Sequence, residues 1–85
     1  NFPPLTEERR KALVRVVRGM AEEGRVSIRH ARRGARHDLE RLEHEGDISA
    51  DDLTRAEKEL DKLTQKYEAD VGAALEHKEQ ELLEV

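Results

Sequence analysis

Basic side chains recur along the first half of the chain at spacings that bring them to one side of a helix. Seven of them are separated by steps of three, four or seven residues: Lys11, Arg15, Arg18, Arg25, Arg29, Arg32 and Arg36. In a helix these steps form one band, which is about 37 Å long at a rise of about 1.5 Å per residue. Guanidinium groups bind phosphate through paired hydrogen bonds. The pattern therefore indicates binding to a polyanion.

The net charge of −4 conceals a strong asymmetry along the chain. Residues 9–36 contain ten Arg or Lys and two acidic residues, whereas residues 37–85 contain six basic and sixteen acidic residues. An ordinary solvated helix face would alternate its charges, because like charges one turn apart repel each other. The basic band lies about 120° around the helix from the apolar stripe, so we expect it to face solvent. A phosphate surface would then compensate its repulsion.

The composition also restricts the kind of polyanion. The chain has one Tyr, one Phe and no Trp, which argues against single-strand binding by base stacking. The band lacks Asn and Gln, which argues against sequence-specific reading of a major groove. Folded RNA or DNA that presents its backbone is the target that the residues favour.

Other chemistry is not supported by the residue pattern. His30, His37 and His44 are spaced by seven residues, about 10.5 Å per step in a helix, which is too far for one metal ion. There is no HExxH motif, glycine-rich phosphate loop or plausible nucleophilic triad, and cysteine is absent. We expect no enzyme activity, cofactor, metal or small-molecule substrate. No apolar run approaches the length of a membrane span, so we expect no membrane partner.

Two long helices account for almost the whole chain. Thr6 is a good N-cap, Gly46 is a natural helix stop, and Ser49 can cap a second helix. These signals predict a helix over about 7–45, a turn over about 46–49 and a helix over about 50–83, with Pro3-Pro4 outside the first helix. The fold class is all-α, an antiparallel long-helix hairpin. The chain starts with Asn1 rather than Met, and we expect residues 1–85 to be a single helical domain fragment of a longer protein.

Apolar positions form one stripe on each helix. The stripes have near-helical spacing and comprise Met20, Gly24, Ile28, Ala31, Ala35, Leu39 and Leu42, then Leu53, Ala56, Leu60, Leu63, Tyr67, Val71, Ala74, Leu75 and Leu82. Gly24 and Gly34 are expected to let a neighbouring helix approach. The apolar band at residues 13–20 is broader than one partner can cover. We therefore expect a third helix, from elsewhere in the parent chain or from a second copy.

Three segments resemble the bacterial ribosome recycling factor family. They are PLTEERRK at residues 4–11, the arginine-rich RVSIRHARR at residues 25–33 and KEQELLEV at residues 78–85. The first is quite specific, whereas the last would be weak alone. The resemblance implies that the chain holds two helices of a three-helix bundle, with a β-rich domain inserted between the missing helix and this part.

The resemblance also implies a function and a set of contacts. The family binds large-subunit, 23S-type ribosomal RNA and, with elongation factor G and GTP, helps to separate the subunits of the post-termination ribosome in the bacterial cytoplasm. Arg29 and Arg32 match its RNA-contacting arginines, with Arg25 and Arg33 close by, whereas Arg10 is a weaker match. His30, Gly34 and His37 are less typical of the family. The candidate RNA-binding residues are Arg10, Arg18, Arg25, Arg29, Arg32, Arg33 and Arg36.

Two alternatives remain open on the residues alone. A helical hairpin of this kind could be a protein–protein adaptor, an antiparallel coiled coil that binds an acidic partner through the basic band and binds no RNA. It could also be a generic DNA-binding helix pair.

Overall fold

The computed structural model describes residues 5–84 as two long α-helices joined by a short turn. Helix α1 spans Glu7–His44 and helix α2 spans Ala50–Glu84. They run antiparallel side by side in a rod of 64 × 16 × 15 Å. The predicted all-α, long-helix hairpin is confirmed, and residues 5–84 contain no strand. The prediction for Pro3-Pro4 lies outside the described residues.

The turn between the helices is set by short-range hydrogen bonds. Gly46 has φ = 80°, a left-handed conformation that side chains with a Cβ rarely adopt. Its N–H donates to the carbonyl of Glu43 at 3.0 Å, and the N–H of Asp47 donates to the carbonyl of Leu42 at 2.9 Å. This pattern satisfies carbonyls at the end of α1 that would otherwise lack partners. It reverses the chain within five residues.

Side-chain caps fix where the helices begin. Thr6 accepts a hydrogen bond from the backbone N–H of Arg9 at 3.0 Å. At α2 the bonds are reciprocal: the N–H of Asp52 donates to Ser49 Oγ at 3.0 Å, and the N–H of Ser49 donates to Asp52 Oδ2 at 3.1 Å. These bonds pair N–H groups that a helix start leaves unsatisfied.

A narrow apolar seam holds the helices together. Only Ala21 is buried among the described residues. Gly24 lies in the seam against Val71, and a Cβ at Gly24 would fall 3.8 Å from Val71 Cγ2. This is an ordinary van der Waals distance, so the helices are adjacent there without depending on the absence of a Cβ. The expectation for Gly34 was wrong, because α2 does not come within 4 Å of a Cβ placed at that position. The half-buried side chains of the seam include Leu13, Val17, Ile28, Leu39, Leu42, Leu53, Leu60, Leu75 and Leu82.

Large apolar side chains remain exposed on one side of the hairpin. Val16 and Met20 of α1 are 56% and 64% exposed, and Leu63 and Tyr67 of α2 are 48% and 49% exposed. Met20 lines a groove between the helices together with Ala21 and Ala74. Two helices therefore leave uncovered the broad band that the sequence indicated. A third helix on this face stays a prediction.

Candidate nucleic-acid interface

The basic band lies along the side of α1 that borders α2. The seam positions Ala21, Ile28 and Ala35 pack toward α2. Four arginines of the band follow one of these positions by one or four residues, and they are Arg25, Arg29, Arg32 and Arg36. We expected this band to face free solvent. Five of its seven residues are indeed exposed, whereas Arg25 and Arg32 are half-buried. The band is not free of the protein, however, because arginine side chains at the edge of the seam also reach the neighbouring helix.

Four arginines of α1 form ion pairs with carboxylates of α2, and we call these pairs the cross-helix ladder. Nitrogen–oxygen distances range from 2.6 to 3.2 Å. The pairs are Arg18–Glu79, Arg29–Glu68, Arg32–Asp61 and Arg36–Glu57. In each pair the two residues lie at nearly equal distances along the chain from the turn, as an antiparallel hairpin requires.

The ladder changes the meaning of the charge asymmetry. Repulsion among the arginines of α1 is partly relieved by the acidic helix beside them, so a phosphate partner is not needed to explain it. The hydrogen bond from Arg18 to Glu79 and their mutual attraction raise the pKa of Arg18. Exposed pairs such as Arg32–Asp61 contribute only about 0.2–1 kcal/mol each, because water screens them. The ladder thus aligns side chains more than it stabilises the hairpin.

One position of the ladder lacks a carboxylate on α2. Arg25 lies opposite Gly72, and a Cβ at Gly72 would fall 3.9 Å from Arg25 Nη2. The ion pair recorded for Arg25 is within its own helix, to Glu22 at 3.7 Å. Its side chain is only 27% exposed. Arg25 therefore lies across the backbone of α2 with no acid facing it from that helix.

Ladder arginines keep part of their hydrogen-bonding capacity for a ligand. Arg29 directs Nε to Glu68, and Arg32 directs Nε and Nη2 to a single oxygen of Asp61. Because a guanidinium carries five N–H bonds, several remain beyond those contacts. Arg29 and Arg32 border the same surface depression, together with Thr64. Their side chains are 48% and 32% exposed, so a phosphate could reach them.

Arg10 and Arg33 lie outside the ladder, for different reasons. Arg10 donates through Nη1 to the backbone carbonyl of Leu82, and its side chain is 17% exposed. This contact ties the start of α1 to the end of α2 and leaves little of Arg10 accessible. Arg33 is exposed on the side of α1 away from α2. The structure thus brings Arg18, Arg29, Arg32 and Arg36 together in one row, but it does not bring Arg10 or Arg33 into it.

The carboxylates of the ladder were missed as functional residues by the sequence reasoning. They were treated as ordinary charges of a solvated helix. The signal that could have found them was their mirror placement about the turn at residues 46–49: each ladder acid follows the turn by about as many residues as its arginine precedes it. Two basic residues of the band, Lys11 and Arg15, are exposed and form no ion pair within residues 5–84.

Within residues 5–84, no group of His, Asp and Glu side chains is placed to hold a metal ion. His77 instead lies 3.1 Å from Glu81 within its own helix. Among the same residues, no helix has the length and apolar character needed to cross a bilayer.

The sequence matches known proteins over nearly its whole length. The family model described as "Ribosome recycling factor" matches residues 1–83. The chain is 59% identical over 84 residues to a ribosome-recycling factor of Rubrobacter xylanophilus, and 56% identical over 84 residues to one of Nocardioides sp.. A ribosome-recycling factor of Alkaliphilus metalliredigens is 47% identical over 85 residues.

These matches cover 99–100% of this chain but only 45–46% of the relatives, so the chain spans less than half of their length. The family match extends across both helices, the turn and the arginine-rich segment at residues 25–33. This chain therefore belongs to the ribosome recycling factor family.

Proposed function

We propose that this chain is the part of a ribosome recycling factor that binds ribosomal RNA of the large subunit. The full protein would act with elongation factor G and GTP to separate the post-termination ribosome into subunits, in the bacterial cytoplasm. It would do so as a translation factor without catalytic activity of its own. The family membership supports the role in recycling, and the arginine row supports the RNA contact.

The observation that carries the RNA contact is the pair Arg29 and Arg32 at one surface depression. Each guanidinium is held from one edge by a carboxylate of α2, which limits the conformations that it can adopt. An arginine that is already oriented loses less side-chain entropy when it binds phosphate. Arg18 and Arg36 extend the row in both directions, so several phosphates of a folded RNA could be bound together.

The main alternative is a protein–protein adaptor. The ladder favours it, because paired arginines are less available to phosphate, and the exposed apolar side chains could bind another protein. The second alternative is a generic DNA-binding helix pair. Both would use the same hairpin, so binding measurements must separate them.

Binding of the full-length protein to large-subunit RNA at several salt concentrations tests the proposal. We expect binding that weakens steeply with salt, because phosphate contacts release counterions. Arg32→Ala should weaken it by about 1–3 kcal/mol, the range for charge-assisted hydrogen bonds. Arg41→Ala is the matched control: Arg41 is an exposed arginine of α1 whose ion pair, to Asp38, stays within its own helix.

The alternatives predict different results in the same assay. An adaptor should bind the RNA weakly in every variant. A generic DNA-binding protein should lose its RNA when duplex DNA competes. Equal losses for Arg32→Ala and Arg41→Ala would contradict the proposed site, because they would indicate only a nonspecific charge effect.

A further inference from the structure

A second row of basic side chains lies on the side of α1 turned away from α2. It consists of His30, Arg33 and His37, which we call the outer row. Steps of three and four residues place them on one face of the helix. All three are exposed, and within residues 5–84 no hydrogen bond or ion pair occupies them. Arg33 thus differs from the ladder arginines in having its whole guanidinium available.

The position of the outer row follows from the seam. Ile28 and Ala35 are half-buried and face α2, and His30 and His37 each follow one of them by two residues, or about 200° around the helix. The outer row therefore points nearly opposite to the seam, about 100° around α1 from the ladder arginines that precede its members, and no charged group of α2 within residues 5–84 pairs with it.

Few acidic residues of α1 lie close enough to form ion pairs with the side chains of the outer row. No acidic residue occurs between residues 24 and 37. Within one helical turn of His37 the charged groups are Arg33, Arg36, Asp38, Glu40 and Arg41. The two acids in this group both form ion pairs: Glu40 Oε1 lies 3.2 Å from Arg36 Nε, and Asp38 Oδ1 lies 3.8 Å from Arg41 Nη2. The carboxylates nearest to the outer row along the helix are thus already paired with arginines.

We propose that the outer row is a second RNA-contacting surface, on which His30 and His37 bind phosphate groups beside Arg33. This inference rests on the proposed function, which supplies the RNA. An imidazolium ring is charged and donates hydrogen bonds from both of its nitrogens. The neutral ring is uncharged and donates from only one of them. Bound phosphates favour the charged form, so binding takes up protons. Affinity for RNA therefore rises as pH falls through the range in which histidine titrates.

The ladder arginines cannot produce this behaviour, because arginine stays charged throughout that range. A hairpin that binds RNA through the ladder alone should bind almost equally at pH 6.0 and 7.5. A hairpin that also uses the outer row should bind more tightly at pH 6.0. The comparison of affinities at the two pH values therefore distinguishes binding through the ladder alone from binding that also uses the outer row, without a substitution in either surface.

The test is binding of the full-length protein to large-subunit RNA at pH 6.0 and 7.5, at constant ionic strength. We expect the unaltered protein to bind about three- to tenfold more tightly at pH 6.0, the gain from two exposed charge contacts. The double variant His30→Gln/His37→Gln should lose most of that difference. Arg33→Gln should weaken binding at both pH values. His77→Gln is the matched control, because His77 is an exposed histidine on α2 and not on the face of the outer row, and this variant should keep the full pH dependence.

Two results would overturn the proposal. One is an unaltered protein that binds equally at both pH values, and the other is a double variant that keeps the full pH dependence. In either case the proposed function stands if Arg32→Ala still weakens binding. Absence of RNA binding by the unaltered protein would instead refute the proposed function and this inference together. Circular dichroism of each variant shows whether the helices are retained, as exposed substitutions should allow.

Discussion

Asp52 illustrates how one exposed carboxylate can define the start of a helix. It accepts a hydrogen bond from the backbone N–H of Ser49 and receives Arg55 Nη2 at 2.5 Å. The bonds from Ser49, followed by that from Arg55, lower the pKa of Asp52. A carboxyl group with a lowered pKa in the folded state stabilises the fold above its unfolded pKa, and this contribution is lost as pH falls through the folded pKa.

Replacing Asp52 should therefore change both stability and its dependence on acid. We expect Asp52→Ala to melt at a lower temperature than the unaltered chain at pH 7, because the N–H of Ser49 loses its partner. The two should converge only as the pH falls beneath the ordinary aspartate pKa of about 4 and then through the lowered pKa of Asp52, where the carboxyl group becomes protonated in the folded chain. Thermal melting followed by circular dichroism at pH 7 and pH 3 measures this.

Asp51→Ala provides the control for that measurement. Asp51 lies in the same first turn of α2 and shares its dipole, but it forms no capping bond in the described residues. A fall in melting temperature as large for Asp51→Ala as for Asp52→Ala would show that helix-dipole charge, and not the cap, is responsible.

At the scale of the helices, the sequence predicts the elements better than it predicts their contacts. Thr6, Gly46 and Ser49 mark the helix ends because capping depends on neighbouring residues. The observed ends, His44 and Glu84, differ by about one residue from the expected ones. Pairing across the hairpin depends on the register of two helices, which the sequence carries only as the mirrored spacing about the turn. For that reason the arginines were identified as candidates, whereas their partners were not.

The register also explains why Gly34 was misjudged. A glycine in a helix can lie where a second helix packs, or it can lie on a surface that no other element contacts. Which of these applies depends on the face of the helix that meets its partner. Gly24 lies in the seam opposite Val71, whereas Gly34 lies outside it. The apolar period does separate these two positions, because Gly24 belongs to the predicted stripe whereas Gly34 lies about 100° around the helix from its neighbour Ala35.

The missing acid opposite Arg25 leads to a prediction for α2. Gly72→Glu should place a carboxylate within reach of Arg25, since a Cβ at this position makes only ordinary contact, at 3.9 Å. Removing a helical glycine should add about 0.5–1 kcal/mol to the free energy of unfolding. An exposed ion pair should add a further 0.2–1 kcal/mol or so. Denaturant unfolding of the full-length protein gives these values.

Gly72→Gln separates the two contributions, because it removes the glycine without adding a charge. We expect the glutamate variant to be more stable than the glutamine variant at low salt, and the difference to shrink at high salt. Equal stability of the two variants under both conditions would mean that Arg25 gains nothing from a carboxylate on α2.

At the scale of the whole hairpin, charge and apolar surface occupy different sides. The cross-helix ladder lies along one flank of the seam, and the exposed side chains Val16, Met20, Leu63 and Tyr67 lie along the other. A bundle completed by a third helix would cover the apolar flank and leave the ladder and the outer row accessible to RNA. The fact that the chain spans less than half of its relatives' length agrees with a partner helix elsewhere in the full protein.

This arrangement gives Met20 and Val26 different roles, although both are exposed here, at 64% and 50%. Met20 borders the groove on the apolar flank, whereas Val26 is on the outer side of α1, near His30. In the full-length protein, Met20→Gln should lower the free energy of unfolding by about 1.5–3 kcal/mol, because a covered apolar side chain is lost. Val26→Gln should change it by no more than about 0.5 kcal/mol, as for other surface positions.

Unfolding of the full-length protein in denaturant compares the two substitutions directly. A third helix on the apolar flank requires the Met20 variant to be the less stable, because only that side chain would be removed from water in the complete bundle. If both variants matched the unaltered protein, the apolar flank would be open in the full protein too. It would then be available for another protein, as the adaptor alternative requires.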